Sequence, residues 1–209
     1  MGVPVGHSPH GPREQEGCCG GKNPVTFEVV GRTFGRAGEA LVRTRGKGAD
    51  APAPGRPWDE IVPGLWMGGH EFQRQAGELE FAVVRDEFDL VQTLLRLPGH
   101  GPDQGVEHHV WPIPDGPLDG TQLAGVIRLA EAAGEALDRG RKVLVRCYHG
   151  YNRSGLVVAH TLVRRGGTAE EAVRLIRARR SRWALHNDLF VEYLRTGLDT
   201  ARLLEELAE

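Results

Sequence analysis

The chain has 209 residues, 40% of them apolar and 26% charged, with a formal net charge of −2. That length supports one domain with its own core plus a tail, and that balance gives no whole-chain field to attract nucleic acid or an anionic membrane. The three cysteines, Cys18, Cys19 and Cys147, form no paired framework and no C-x-x-C, so neither a disulfide scaffold nor a zinc site is expected. No apolar run has the length of a membrane span, and no apolar stretch follows a basic start. The expectation is a reduced, cytoplasmic protein with no metal or cofactor.

Residues 1–57 are rich in Gly, Pro, Arg and Ser and read as a disordered tail. Within them, "VTFEVVGRTF" (residues 25–34) has strand-like content but cannot form a core alone. The Cys18–Cys19 pair reads as incidental to the tail. From Trp58 the composition changes, and residues 58–209 read as the folded domain. "WDEIVPGLWMGG" gives two short strands broken by the turn dipeptide Pro63–Gly64. Residues 78–87 look helical. "FDLVQTLLRL" (88–97) and "VEHHVWPI" (106–113) read as strands, with alternation putting His108 and His109 on opposite faces rather than at a metal. The stiff loop "PDGPLDG" follows.

Leu123, Val126, Ile127, Ala130, Ala133 and Leu137 then repeat at the spacing of a core-facing helix. Asp119 and Gln122 form a capping box at its start, and Gly140 ends it. "RKVLVRC" reads as a strand covered on both faces. Residues 153–165 read as a helix. Thr168 and Glu171 cap another through about Arg180, and "NDLFVEYLRTGL" opens the last helical region. The basic run at residues 174–182 reads as a solvated helix face, with Val173 and Ile176 inward. Strands alternate with helices and then give way to helices. That order defines an α/β fold with a central, largely parallel sheet flanked by helices.

The chemistry concentrates in "VLVRCYHGYNRSGLVVA". A loop between the carboxyl end of a strand and a helix N-terminus collects amide N–H groups, and the helix dipole adds partial positive charge. Such a loop binds anions. A thiol beneath it is expected to favour the thiolate, because the same field stabilises it. Gly150 allows the tight turn. Arg153 can offer a planar fork to two phosphoryl oxygens. Ser154 can donate to the sulfur of Cys147. A bare Cys-x5-Arg is weak evidence, but the strand before, the glycine inside and the helix beyond turn Cys147 from a buried structural thiol into a nucleophile candidate.

"VLVRCYHGYNRSG" resembles the phosphate-binding loop of the cysteine-dependent protein phosphatases, and is most similar to that of the small dual-specificity (protein-tyrosine phosphatase-like) enzymes. "EIVPGLWMGG" resembles the opening strands of that family, and "AEEAVRLIRARR" with "HNDLF" its closing helices, so the likeness spans residues 58–197. The resemblance implies a hydrolase of phosphotyrosine, and also of phosphoserine and phosphothreonine, working through a phosphocysteine. It assigns catalytic roles to Cys147, Arg153, Asp115 and Ser154. It assigns phosphate binding to Tyr148, His149, Gly150, Tyr151, Asn152 and Arg153. The partner it implies is a phosphorylated protein.

A departing alkoxide or phenolate needs a proton, and a carboxylic acid can supply it. Two candidates lie in "WPIPDGPLDG". Asp119 is explained as a helix cap. Asp115 has no such explanation, and "WPIPDG" is similar to the family's general-acid loop. One position departs from the pattern: the family commonly has His before the cysteine, where this chain has Arg146. That bears on thiol acidity and rate more than on reaction type. His149 either compensates in part or faces solvent at the pocket mouth. A phosphoinositide, inositol phosphate or RNA 5′-phosphate is the alternative substrate, disfavoured by the absence of lysine from "YHGYN". A phospho-binding pseudophosphatase is the alternative of another class, and Arg146 is the feature that fits it. The Arg–Ser ending and Asp115 argue against a rhodanese-like sulfurtransferase.

Overall fold

The computed structural model of the chain describes residues 51–74 and 77–208. The strand-like interval 25–34 and the Cys18–Cys19 pair lie outside them, as does the expected tail up to residue 50.

The densest apolar segments make the centre of the sheet. Strand β7 (Val143–Cys147) is buried at every position, as a strand covered on both faces must be. It lies between β2 (Leu65–Gly69) and β5 (Leu90–Thr93). Strands β1 (Trp58–Val62) and β6 (Glu107–Val110) complete the order β1-β2-β7-β5-β6. Only the β1–β2 pair is antiparallel, turned at Gly64. The other pairs are parallel, so their carboxyl ends share one edge.

Helix α1 (Gly120–Asp138) buries Leu123, Val126, Ile127, Ala130 and Ala133, the stripe visible in the sequence. Asp119 is its N-cap, and the reciprocal bonds with Gln122 complete a capping box. Helix α2 (Arg153–Arg164) buries Leu156, Val157 and Val158 completely. Each such side chain contributes about 2 kcal/mol relative to exposure. The helix start that follows the loop is therefore fixed in the core. Helix α3 (Ala169–Arg179) starts at the Thr168–Glu171 capping box. Helix α4 (Asp188–Thr196) is capped by Asn187, and after Gly197 the chain turns into α5 (Leu198–Ala208).

Residues 78–87 are not helical. They contain β4 (Leu79–Phe81), which pairs with β3 (Glu71–Gln73) in a separate two-stranded ribbon, followed by irregular chain. The period is two: Leu79, Phe81 and Val83 are exposed while Ala82 and Val84 are buried. The amide of Ala82 donates to the carbonyl of His70, fixing that alternation. The strands at 88–97 and 106–113 are shorter than the sequence suggested, at Leu90–Thr93 and Glu107–Val110.

Residues 51–57, grouped with the tail on composition, pack against the domain. Pro54 is buried, the Tyr151 hydroxyl donates to the carbonyl of Pro52 at 2.8 Å, and the amide of Gly69 donates to Pro57 at 3.0 Å.

Candidate active site

Cys147 ends β7 and Arg153 begins α2, so the five residues between them turn at the carboxyl edge of the sheet. Their peptide groups have a common sense. The carbonyls of Cys147 and Tyr148 accept from the amide of His70, and that of Tyr148 also from Glu71. Those of His149 and Gly150 accept from the Arg180 guanidinium. Those of Tyr151 and Asn152 accept from the amides of Leu185 and Leu156. Among the described residues, no protein group accepts from the amides of His149 to Arg153. Carbonyls fixed outward leave the amides on the other side, which is the arrangement of an anion-binding nest. Gly150 has φ of +71°, and a Cβ there would come within 2.2 Å of the Gly68 backbone. Only glycine allows the loop to turn this close to the end of β2.

The Cys147 thiol is 2% exposed. Its Sγ lies 3.4 Å from Ser154 Oγ. Arg153 Nε is buried without a partner among the described residues. Arg146, which stands where a histidine was expected, is fully buried. Its Nε donates to Thr93 Oγ1 at 3.2 Å, and its Nη2 to the carbonyl of His100. Burial lowers its pKa to about 10, well above neutral pH. His70 and His108 are each held down to about 4, by burial first and then by the Arg146 charge. Thr93 Oγ1 also lies 2.9 Å from His108 Nε2. The guanidinium is thus bound into a buried polar group with β5 and the loop carrying His100. His108 and His109 diverge as alternation requires, His109 pairing with Glu107 at 2.9 Å.

Asp115 and Asp119 have separate surroundings. Asp119 Oδ1 accepts from the amide of Gln122 at 2.7 Å as the cap of α1. Asp115 is exposed, and its two oxygens accept from Asn152 Nδ2 and Asn187 Nδ2, both at 3.0 Å. Asn152 belongs to the Cys147–Arg153 loop, so Asp115 is attached to that loop directly. Asn152 is held in turn: its Oδ1 accepts from the amide of Asn187, and its Nδ2 lies 2.9 Å from His186 Nε2. His186 Nδ1 lies 2.7 Å from the carbonyl of Trp183, which can only accept. The proton of neutral His186 therefore sits on Nδ1, leaving Nε2 to accept from Asn152. Neither His186 nor Asn187 was singled out in the sequence, although Asn before "DLF" is a recognisable cap.

Two further side chains hold the loop and were not anticipated. Glu71 accepts from the Tyr148 hydroxyl at 3.0 Å and lies 3.1 Å from His149 Nε2. His149 is therefore neither a bare solvent-facing side chain nor isolated. Arg180 corrects the reading of the basic run as a solvated face. Its side chain is 0% exposed and ion-paired with Asp59 at 2.7 Å. Arg177 is engaged as well, donating to the carbonyls of Ala184 and Leu185. Arg180 follows Ile176 by four residues and Val173 by seven, so it lies on the buried stripe of α3. Among the described residues, no group of three or more His, Cys, Asp or Glu side chains could hold a metal ion, and no helix is long and apolar enough to cross a membrane.

Residues 122–197 match the family model for the dual specificity phosphatase catalytic domain. The match contains the whole loop, most of α1, and α2 to α4. Among solved structures, human DUSP28 is similar with a TM-score of 0.55 at 22% identity, over 71% of this chain and 98% of its own. PTPMT1, solved in complex with PI(5)P, gives 0.51 at 17% identity, over 71% and 99%. The kinase associated phosphatase gives 0.50 at 17%, over 73% and 98%. At these identities the structural likeness speaks for the fold. A search of curated proteins finds no match. The family model covers the loop and the helices around it, and the solved structures share the fold over about seven-tenths of this chain.

Proposed function

We propose that the chain is a cytoplasmic protein phosphatase that hydrolyses phosphotyrosine, and also phosphoserine and phosphothreonine, through a phosphocysteine. Residues 58–209 form its catalytic domain. The observation that carries this reading is the sense of the loop: carbonyls bound outward from Cys147 to Asn152, with the thiol at one end and a carboxylate hydrogen-bonded to the rim. The amides of the loop and the Arg153 guanidinium hold the three non-bridging oxygens and stabilise the charge that spreads over them in the transition state. Cys147 thiolate attacks phosphorus. The S–P bond forms as the bond to the leaving oxygen breaks, and Asp115 gives that oxygen its proton. Ser154 Oγ, at 3.4 Å, donates to the sulfur and steadies it as nucleophile and leaving group. In the second step Asp115 takes a proton from water, whose oxygen attacks phosphorus and releases the thiolate and inorganic phosphate. No redox or metal step is needed for this balance.

The experiment is hydrolysis of a chromogenic aryl phosphate by the purified chain with chelator present. A parallel panel contains phosphopeptides, phosphoinositides, inositol phosphates and 5′-phosphorylated RNA. Turnover of phosphotyrosine peptides above the other classes is expected. Full activity after Cys147→Ser would sink the mechanism. A preference for a lipid, inositol or RNA phosphate would overturn the substrate class. Phosphopeptide binding without hydrolysis across a range of pH would make the chain a binding protein instead.

A further inference from the structure

The loop carbonyls that face outward need partners, and what supplies them decides how well the amides are aimed. A trans peptide sets the C=O of one residue opposite the N–H of the next. Fixing the carbonyl of His149 outward therefore turns the amide of Gly150 inward, and fixing that of Gly150 turns the amide of Tyr151 inward. Both carbonyls are held by one side chain. Arg180 Nη2 donates to His149 O at 2.9 Å and Nε to Gly150 O at 3.2 Å. Its Nη1 donates to Asp59 Oδ2 at 2.7 Å and to the carbonyl of Arg56 at 2.9 Å. A fork of this shape reaches two adjacent carbonyls at once, which an ammonium cannot do in the same geometry.

We infer that Arg180 is a positioning residue of the anion cradle. It aims the amides of Gly150 and Tyr151 at the oxyanion from behind the loop, with Asp59 as its buried counter-charge. The inference rests on the cradle reading given above. It explains why a full charge is buried at the end of α3. A buried Arg–Asp pair is weak evidence of stabilisation in itself, because desolvation offsets much of the attraction. Holding two carbonyls of a tightly turned loop is a task that justifies the cost, since a preorganised donor does not have to reorient at the moment of reaction.

The test uses the full chain with Arg180→Lys, Asp59→Asn and, as control, Arg56→Ala. Three quantities are read: the affinity for inorganic tungstate, a tetrahedral oxyanion, by titration calorimetry; the ratio of Cys147 alkylation rates by iodoacetate and by neutral iodoacetamide; and the melting temperature. For Arg180→Lys we expect tungstate to bind about tenfold more weakly and the iodoacetate preference to fall about tenfold, the size of one lost charge-assisted hydrogen bond. For Asp59→Asn the same changes are expected at about threefold, because the fork remains but is less firmly anchored. Arg56→Ala removes only an exposed side chain's pair with Asp59, keeps the backbone carbonyl that accepts from Arg180, and should leave both quantities unchanged. A lowered melting temperature with tungstate affinity and alkylation ratio intact in both Arg180→Lys and Asp59→Asn would make Arg180 merely structural and overturn the inference. Failure of the wild-type chain to bind tungstate would overturn the cradle itself. A wild-type chain that binds tungstate without hydrolysing the aryl phosphate would overturn the proposed hydrolysis and leave the positioning role standing.

Discussion

On one flank of the Cys147–Arg153 loop, Arg180 and Asp59 are sealed from solvent and bind its carbonyls. On the other, Asp115 is exposed and accepts from the amide side chains of Asn152, in the loop, and Asn187, beside it. The contrast follows from the work proposed for each flank. Amides that stabilise charge must be aimed before substrate arrives, so their supports are buried and fully bonded. A carboxyl that gives a proton and then takes one from water must reach solvent and change partners. Amide donors from Asn152 and Asn187 orient the carboxylate. Buried charge holds the cradle, and exposed hydrogen bonds hold the acid.

The largest effect should come from the atom both flanks serve. Cys147→Ser is expected to lower kcat for an aryl phosphate by about 10⁴-fold or more, since the hydroxyl is a far weaker nucleophile at neutral pH. The melting temperature should barely move, because the swap is small and Ser154 Oγ remains a partner. Next is Asp115→Asn. We expect kcat to drop about 10²-fold with KM little changed, the usual size of a lost proton donor. The loss should shrink for esters whose leaving group is already a weak base. Equal loss with every leaving group would break the comparison, because the exposed flank would then be part of the cradle.

Acid should act on the buried side instead. His70, His108 and His160 each have folded-state pKa values of about 4 against an ordinary 6.5, with burial as the first cause. Between those values the unfolded chain holds protons that the folded chain refuses, so stability rises with pH in that window. The contribution is complete above about pH 6.5 and is lost as pH falls toward 4. It is worth on the order of 2 kcal/mol for a histidine as enclosed as His70. Urea unfolding at a series of pH values should show the midpoint falling steadily from pH 6.5 to 4. A flat midpoint would mean that these histidines take up protons in the folded chain without cost.

The loop was legible because its signals are local: an apolar strand, a glycine, an arginine and a helix start within one short stretch. The caps at Asp119 and Thr168 were legible for the same reason. Arg180 was hidden by composition, since "RARRSR" suggests a solvated face, although its spacing from Val173 and Ile176 puts it on the buried one. The contact of Asp115 with Asn187 joins residues far apart in sequence and has no local signature. Residues 78–87 looked helical in the sequence. The alternation of Leu79, Phe81 and Val83 with Ala82 and Val84 was the better guide.

The smallest effect separates the two aspartates that follow Trp111. Asp119 accepts from the amide of Gln122 at 2.7 Å, while its own amide donates to Gln122 Oε1 at 3.0 Å. Replacing an N-cap aspartate by alanine costs about 1 kcal/mol. Asp119→Ala should therefore lower the unfolding free energy by that much and leave kcat within about twofold, since the cap makes no bond to the loop. Asn187→Ala makes the complementary case: it removes the cap of α4 and a donor to Asp115 Oδ1. It should cost a similar amount of stability and also lower kcat several-fold, because Asp115 loses the bond from Asn187 that helps orient it. A larger loss of rate from Asp119→Ala than from Asn187→Ala would reassign the acid and undo the division between the flanks.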